Sequence, residues 1–269
     1  MSPKNEKWKC PPKNAKKMNL VMEEKMKYRY DKEYVLHYSE IDSSAHLSLI
    51  SSLKFIQNMS TEYFQRMGTD NFTVSTQNNA VWVITKTKIK FFRRPVWKDK
   101  IAIRIYSVRL SAIRFSVEIC FESEDGEVFA VSKQEYCAID IDSRRARKIS
   151  TISFPSDLEV EEERFPEDYR RLKEEFEEGE FVYSTKVCSQ DIDFSKHTNN
   201  VVYVRFLMNI FSCKFLEENE IDEFEIHYIR EAREGEELEI YKKEVSDKEM
   251  EFLIKAEGNE ITRAYITFK

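Results

Sequence analysis

Apolar and polar positions follow one another along this chain in two similar rounds. Residues 31–38 (Asp-Lys-Glu-Tyr-Val-Leu-His-Tyr) alternate in part and read as a strand. Leu49, Leu53, Ile56, Met59 and Tyr63 then recur at the spacing of one helix face, and Gly68 is placed to close that helix. Four β-like runs follow, at 81–92, 101–109, 113–122 and 128–140. Asp125-Gly126 between the last two is a hairpin signal. The second round begins with a strand at 181–188 and an apolar stretch at 200–216. Strands at 224–230, 238–245, 251–256 and 261–268 complete it, with Gly258-Asn259 as the last hairpin. The order of strand, long helix and antiparallel run thus occurs twice.

The second helix carries Val201, Val202, Val204, Phe206, Leu207, Met208, Ile210, Phe211 and Phe215, so it is apolar nearly all round and must be buried on most faces. An antiparallel sheet curled around a central long helix buries it in that way. The expected fold is therefore α+β, two tandem hotdog repeats packed as an internal pseudo-dimer, which also hides sheet edges. The first repeat spans 28–154 and the second 181–269. Residues 155–180, dominated by Glu and Arg between Pro155, Pro166 and Gly179, have little to bury. They read as an acidic linker with a short solvated helix around 167–177. Residues 1–27 are Lys-rich, with Pro11-Pro12 and no apolar segment, and read as a mobile basic extension rather than a secretory signal.

Composition narrows the function classes. A chain of 269 residues that is 41% apolar, with 19 Phe and 13 Tyr, has ample material for a core. A net charge of −6 argues against a chain built to coat nucleic acid. No apolar run reaches the roughly 18–20 residues of a membrane span. The five cysteines (Cys10, Cys120, Cys137, Cys188, Cys213) are odd in number, with no two closely spaced. They suggest a reducing, cytoplasmic setting without a disulfide frame. His37, His46, His197 and His227 lack tight ligand spacing, so no metal and no cofactor is expected.

The candidate chemistry lies in Asp191-Ile-Asp-Phe-Ser-Lys-His-Thr-Asn-Asn200. Asp193 and His197 stand four residues apart in a polar loop that feeds an apolar helix. Backbone N–H groups near 199–201 would then face a developing oxyanion, where the helix dipole also favours negative charge. The first round holds a fainter copy, Asp42-Ser-Ser-Ala-His46, with Ser48 at the place of Asn199. The same residues also have purely structural uses: Asp193 as a turn or cap, His197 as a loop histidine, Asn199 and Asn200 as a helix start.

These residues resemble a known family. Asp191 through Tyr203 is similar to the D-x-D-x-N-x-H-x-N-N-x-x-Y motif of plant-type and bacterial acyl-acyl-carrier-protein thioesterases, and Tyr228-Ile-Arg-Glu-Ala232 resembles their Y-x-R-E-C block. Trp82-Val83, Arg94-Pro95-Val-Trp97-Lys-Asp99 and the basic run from Ser143 to Lys148 look like the family's N-terminal half. The resemblance implies a tandem hotdog that hydrolyses fatty acyl thioesters, with the acyl chain in the first repeat. It puts Asp193, His197 and Glu231 on the catalytic positions and Asn199 near the substrate. Glu231 would be the general base, alone or sharing the water with His197; Asp193 would orient His197, polarise the water or attack directly. Ser195 replaces the family's Asn and lacks that amide's two N–H donors. Ala232 replaces a cysteine, so no thiol is available there. Aligning residues 92–99 on 229–236 sets Arg94 opposite Glu231, so one active site per chain is expected. Trp82 and side chains around 53–59 would line the acyl pocket.

The implied partner is acyl carrier protein, which is acidic, so an acidic chain needs a local basic patch to meet it. The candidates are Arg93 and Arg94, and Arg144, Arg145, Arg147 and Lys148. Coenzyme A as the carrier, or a non-catalytic acyl-binding hotdog, are the competing functions. A homodimer is left open.

Overall fold

The face of Leu49, Leu53, Ile56, Met59 and Tyr63 becomes the buried side of the longest helix, α1 (Leu49–Arg66), which Ser48 caps by accepting the Ser51 N–H. The computed structural model describes residues 28–165, 167–172, 176 and 179–269; the extension expected at 1–27 lies outside them. In the first repeat α1 follows β1 (Tyr30–Val35) and precedes α2 (Asn71–Asn78), β2 (Ala80–Phe91), β3 (Lys100–Leu110), β4 (Arg114–Ser123) and β5 (Val128–Asp140). The second comprises β6 (Glu180–Lys186), α3 (Asn200–Met208), α4 (Cys213–Glu218), β7 (Ile221–Tyr228), β8 (Glu237–Ser246), β9 (Glu249–Ala256) and β10 (Asn259–Phe268).

The strands form one ten-stranded antiparallel sheet in the order β1-β3-β4-β5-β2-β7-β10-β9-β8-β6. Its two halves meet where β2 pairs with β7, Thr87 opposite Ile226 and Ile89 opposite Phe224. These four side chains are almost fully buried. A single apolar core extends across both repeats, joining α1 to α3 under the sheet. The tandem hotdog arrangement read from the repeat is the one observed.

Three local expectations need correction. The helix expected over 200–216 is broken into α3 and α4. Ser212 starts a new helix by accepting the Phe215 N–H, and Phe211 stacks on Phe215 and edges onto Phe252 and Phe268. A kink with its own cap and an aromatic anchor outweighs the continuous apolar pattern. Helix α2 was not anticipated, because only Val74 of its eight residues is buried. Its stop and start are polar: the Asp70 carboxylate accepts from the Phe72 and Thr73 N–H groups. The last hairpin turns at Glu257 and Gly258, both with positive φ, one residue earlier than expected.

The acidic segment is the fourth correction. Its described part runs without helix across the outer face of the sheet; part of the helix expected at 167–177 lies outside the described residues. Glu161 N–H bonds the Ser107 carbonyl, Arg164 N–H the Glu118 carboxylate at 2.9 Å, and Arg170 N–H the Glu225 carboxylate at 2.8 Å. Phe165 packs with Tyr106, Val108, Cys120, Val128 and Val131 in a second, smaller core. Lys88 meets Glu223 at 3.0 Å and Glu225 at 3.3 Å beneath this strap, and His227 meets Glu225 at 2.6 Å. Charge count alone misread the segment because its few aromatic residues do the burying. Burial pushes the Glu118 carboxyl above the usual range, against the pull of the Arg164 and Phe165 N–H groups.

Phe165→Ala is expected to cost about 3 kcal/mol in a urea unfolding titration, the usual loss for a buried phenylalanine. A solvated linker would show a change within about 0.5 kcal/mol.

Candidate active site

The loop between β6 and α3 is closed by its own backbone. Asp193 N–H donates to the His197 carbonyl (3.0 Å), Lys196 N–H to the Asp193 carbonyl (2.9 Å), and Ser195 N–H to the Asp193 carboxylate (2.8 Å). Lys196 takes φ 63°, the left-handed turn that folds the loop back on itself. Arg205 of α3 pairs with the buried Asp191 and pins the loop's start.

A second set of bonds ties in a distant segment. Thr198 donates both its N–H and its hydroxyl to the Ala232 carbonyl, each at 2.9 Å, and Ala232 N–H donates to the Tyr203 hydroxyl at 2.8 Å. The neighbouring Glu231 is thereby delivered to the histidine: His197 Nε2 lies 3.2 Å from Glu231 Oε2. Arg144, from the turn after β5, engages the same carboxylate oxygen. Ala232 is fully buried, so this position faces the core and not the site's solvent.

Of the backbone donors expected near 199–201, two are already used. Asn199 N–H bonds the Asp191 carbonyl at 2.9 Å, and Val201 N–H bonds the Asn199 side chain at 2.9 Å, making Asn199 the cap of α3. Asn200 N–H has no hydrogen-bond partner among the described residues. Asp193 is half-buried and its carboxylate is bound to its own loop, while the described partner of the imidazole is Glu231. Burial pushes the Asp193 carboxyl up; the Ser195 N–H and His197 pull it down and Glu231 adds to the rise. Ser195 is exposed at the rim, and its hydroxyl has no hydrogen-bond partner among the described residues.

His197, Asn200 and Glu231 open onto a cavity of about 1130 Å3 that both repeats line, a little above the roughly 300–1,000 Å3 of ordinary ligand sites. Trp82 lines this cavity, its indole N–H held by the Thr69 carbonyl at 2.8 Å. The α1 contribution is Gln57, Ser60, Thr61 and Phe64, whereas Leu53, Ile56 and Met59 lie in the core. The helix turns its apolar stripe inward and shows the cavity its next face. Among the described residues, no cluster of His, Cys, Asp and Glu could hold a metal ion, and no helix is long and apolar enough to cross a membrane.

The first repeat builds the same frame without the same chemistry. Asp42 N–H bonds the His46 carbonyl, Ser44 N–H the Asp42 carboxylate, and Ala45 has φ 60°. Leu47 N–H donates to the Pro95 carbonyl as Thr198 N–H does to Ala232, which makes Arg94 the structural counterpart of Glu231. Arg94 is buried and paired with Asp42. It therefore cannot belong to a surface basic patch, and that expectation is withdrawn. Arg93 is exposed but paired with Glu127 at 3.4 Å.

Two family descriptions match this chain: the acyl-ACP thioesterase N-terminal domain over residues 27–152 and the C-terminal domain over residues 173–269. The chain belongs to the acyl-acyl-carrier-protein thioesterase family. It is 22% identical over 225 residues to oleoyl-acyl carrier protein thioesterase 1 of Arabidopsis thaliana, a match covering 77% of this chain and 61% of that relative's length. In fold it is similar to an acyl-ACP thioesterase from Bacteroides thetaiotaomicron, with TM-score 0.83, 18% identity, and 91% and 99% of the two chains covered. It is also similar to a 12:0-ACP thioesterase from Umbellularia californica, with TM-score 0.79, 16% identity, and 90% and 97% covered. Both likenesses span the two repeats, so this family member is a double hotdog.

The pairing of Arg144 with Glu231 escaped the sequence reading. Arg144 stood out there only as part of a basic run. The partners' separation of 87 positions leaves no spacing signal.

The position of Asp193 makes a stability prediction. Its raised pKa means that ionisation is penalised in the fold above the ordinary aspartate range. Asp193→Asn keeps an acceptor for the loop and removes that penalty. A higher Tm than the parent is expected at pH 7, with the gain vanishing near about pH 4, where the unfolded aspartate also holds its proton. A lower Tm at pH 7 would refute the assignment.

Proposed function

We propose that the protein hydrolyses fatty acyl thioesters of acyl carrier protein and releases the free fatty acid. The observation that carries this reading is the His197–Glu231 pair, 3.2 Å apart, lining a large cavity that Asn200, with its unused N–H, lines too. Glu231 accepts a proton from water as the water oxygen attacks the thioester carbonyl carbon. The carbonyl oxygen, now negative, is met by Asn200 N–H at the start of α3, where the helix dipole adds to the attraction. The C–S bond then breaks, the acid leaves, and the proton returns to the thiolate through His197. Asp193 supports the step by shaping the loop that carries His197, since its carboxylate is committed to that loop.

The carrier would dock over this mouth. Arg145 and Lys148 are exposed after β5, and Arg230 and Arg233 after β7. Exposed Ile141 and Ile229, together with Phe194 at 91% exposure, lie among them. Such a surface suits an acidic partner with an apolar contact ridge.

Thiol release from a panel of acyl-carrier-protein and acyl-coenzyme A thioesters tests the reading. His197→Ala and Glu231→Gln are each expected to lower turnover about 10²–10⁴-fold, the usual weight of a general acid or base. Full turnover in both variants overturns the site. Better catalytic efficiency on coenzyme A overturns the carrier, and tight acyl binding without thiol release overturns hydrolysis.

A further inference from the structure

The carboxylate of Glu231 has two donors on one oxygen. His197 Nε2 and Arg144 Nη2 both address Oε2, while Oε1 has no hydrogen-bond partner among the described residues. Glu231 itself lies on an irregular stretch between β7 and β8, whose backbone is held on either side of it, by Arg230 N–H on the Ile261 carbonyl and by the bonds of Ala232, while its side chain reaches out from that backbone. A glutamate on such a stretch has several rotamers that would lose the histidine. A second donor, fixed from elsewhere, selects the one that keeps it and leaves Oε1 as the oxygen able to take a proton.

Arg144 is fixed in that sense. Its turn is closed by Arg144 N–H on the Asp140 carbonyl at 3.0 Å and by Ser143 N–H and hydroxyl on the Asp140 carboxylate at 2.9 Å. Asn79 donates to Asp142 at 2.7 Å, and Arg147 reaches the Asn78 carbonyl, so the turn is anchored at the end of α2. Arg144 holds φ 56°, a conformation that glycine adopts more easily. An arginine kept there points to a use for its side chain. Stability is a poor candidate: both partners are substantially exposed (48% and 36%), and exposed ion pairs contribute little.

We propose that Arg144, supplied by the first repeat, is the positioning residue for Glu231 of the second. The site is then composite: the base and its histidine come from one repeat and the guanidinium that orients the base from the other. This rests on Glu231 acting in thioester hydrolysis. It gives the first repeat a part in the chemistry beyond the acyl cavity. It also sets the two loops in contrast. In the first, Arg94 from the same repeat holds the loop's own carboxylate, Asp42; in the second, the arginine crosses the seam and leaves Asp193 to its turn.

A double-mutant cycle tests it. Arg144→Gln is expected to lower kcat at least about 10-fold with KM changed less than about threefold, and Arg144→Lys to recover part of the loss by restoring the charge. In the Glu231→Gln background, Arg144→Gln should cost less than about twofold more, because its route of action is gone. Tm should stay within about 2 °C throughout. Unchanged kcat in Arg144→Gln, a loss confined to KM, or losses that multiply in the double variant would each overturn the proposal. A crippled Glu231→Gln beside a fully active Arg144→Gln removes the role of Arg144 alone, and an unaffected Glu231→Gln removes the site with it. NMR of the His197 imidazole gives a readout independent of turnover. Arg144→Gln should move its ring resonances as Glu231→Gln does, and an unmoved signal overturns the positioning role even if no thioester is cleaved.

Discussion

The antiparallel pairing of β2 with β7 is the constraint on which the other features depend. It converts two curled sheets into one and lets α1 and α3 share a core. It also brings the turn after β5 to the segment between β7 and β8, although the two lie in different repeats. The inner face of the seam is apolar, through Thr87, Ile89, Phe224 and Ile226. Its outer face carries Lys88, Glu223, Glu225 and His227, over which the described residues of the strap run, Arg170 N–H bonding Glu225. Buried charges of this kind stand only because they are paired. They favour one register, since a slip by one residue would set lysine and glutamate against the core.

The two loops show how one frame diverges. Turn geometry, left-handed residue, cap and backbone tie are shared between 42–48 and 193–199. Only the side chain opposite the histidine differs in sign. Arginine at 94 turns its half into a closed ion pair with Asp42; glutamate at 231 leaves the other half with an acceptor beside an imidazole. The scaffold tolerates both because the tie runs through the backbone of Pro95 or Ala232 and is indifferent to the neighbouring charge.

Much of this was legible in the residues. Apolar and alternating runs located each described strand, and the helical spacing of one buried face located the long helix. The loop at 191–200 announced its polar groups by local spacing, and the structure does bring His197 together with Glu231. What was hidden had no local period. Helix α2 buries one side chain and is held by Asp70; α3 ends at a cap and an aromatic stack rather than at a change in polarity. The strap buries Phe165, and half-buries Tyr169, among charges whose partners lie on other elements. Arg144 meets Glu231 only because the seam folds the chain over itself.

The seam also sets an order on synthesis. β2 is an interior strand only once β7 has left the ribosome, and everything between them must be translated first. Until then the completed first half carries a long, largely apolar strand with an open hydrogen-bonding edge, the template that invites pairing with a neighbouring chain. Lys88 and Lys90 along that strand, which pair with Glu223, Glu225 and Asp222 of β7 in the finished fold, put charge on the open edge and oppose such encounters. Of the two only Lys88 ends fully buried, between Glu223 and Glu225, so the charge that would oppose a wrong partner on the open edge is the one the right partner neutralises.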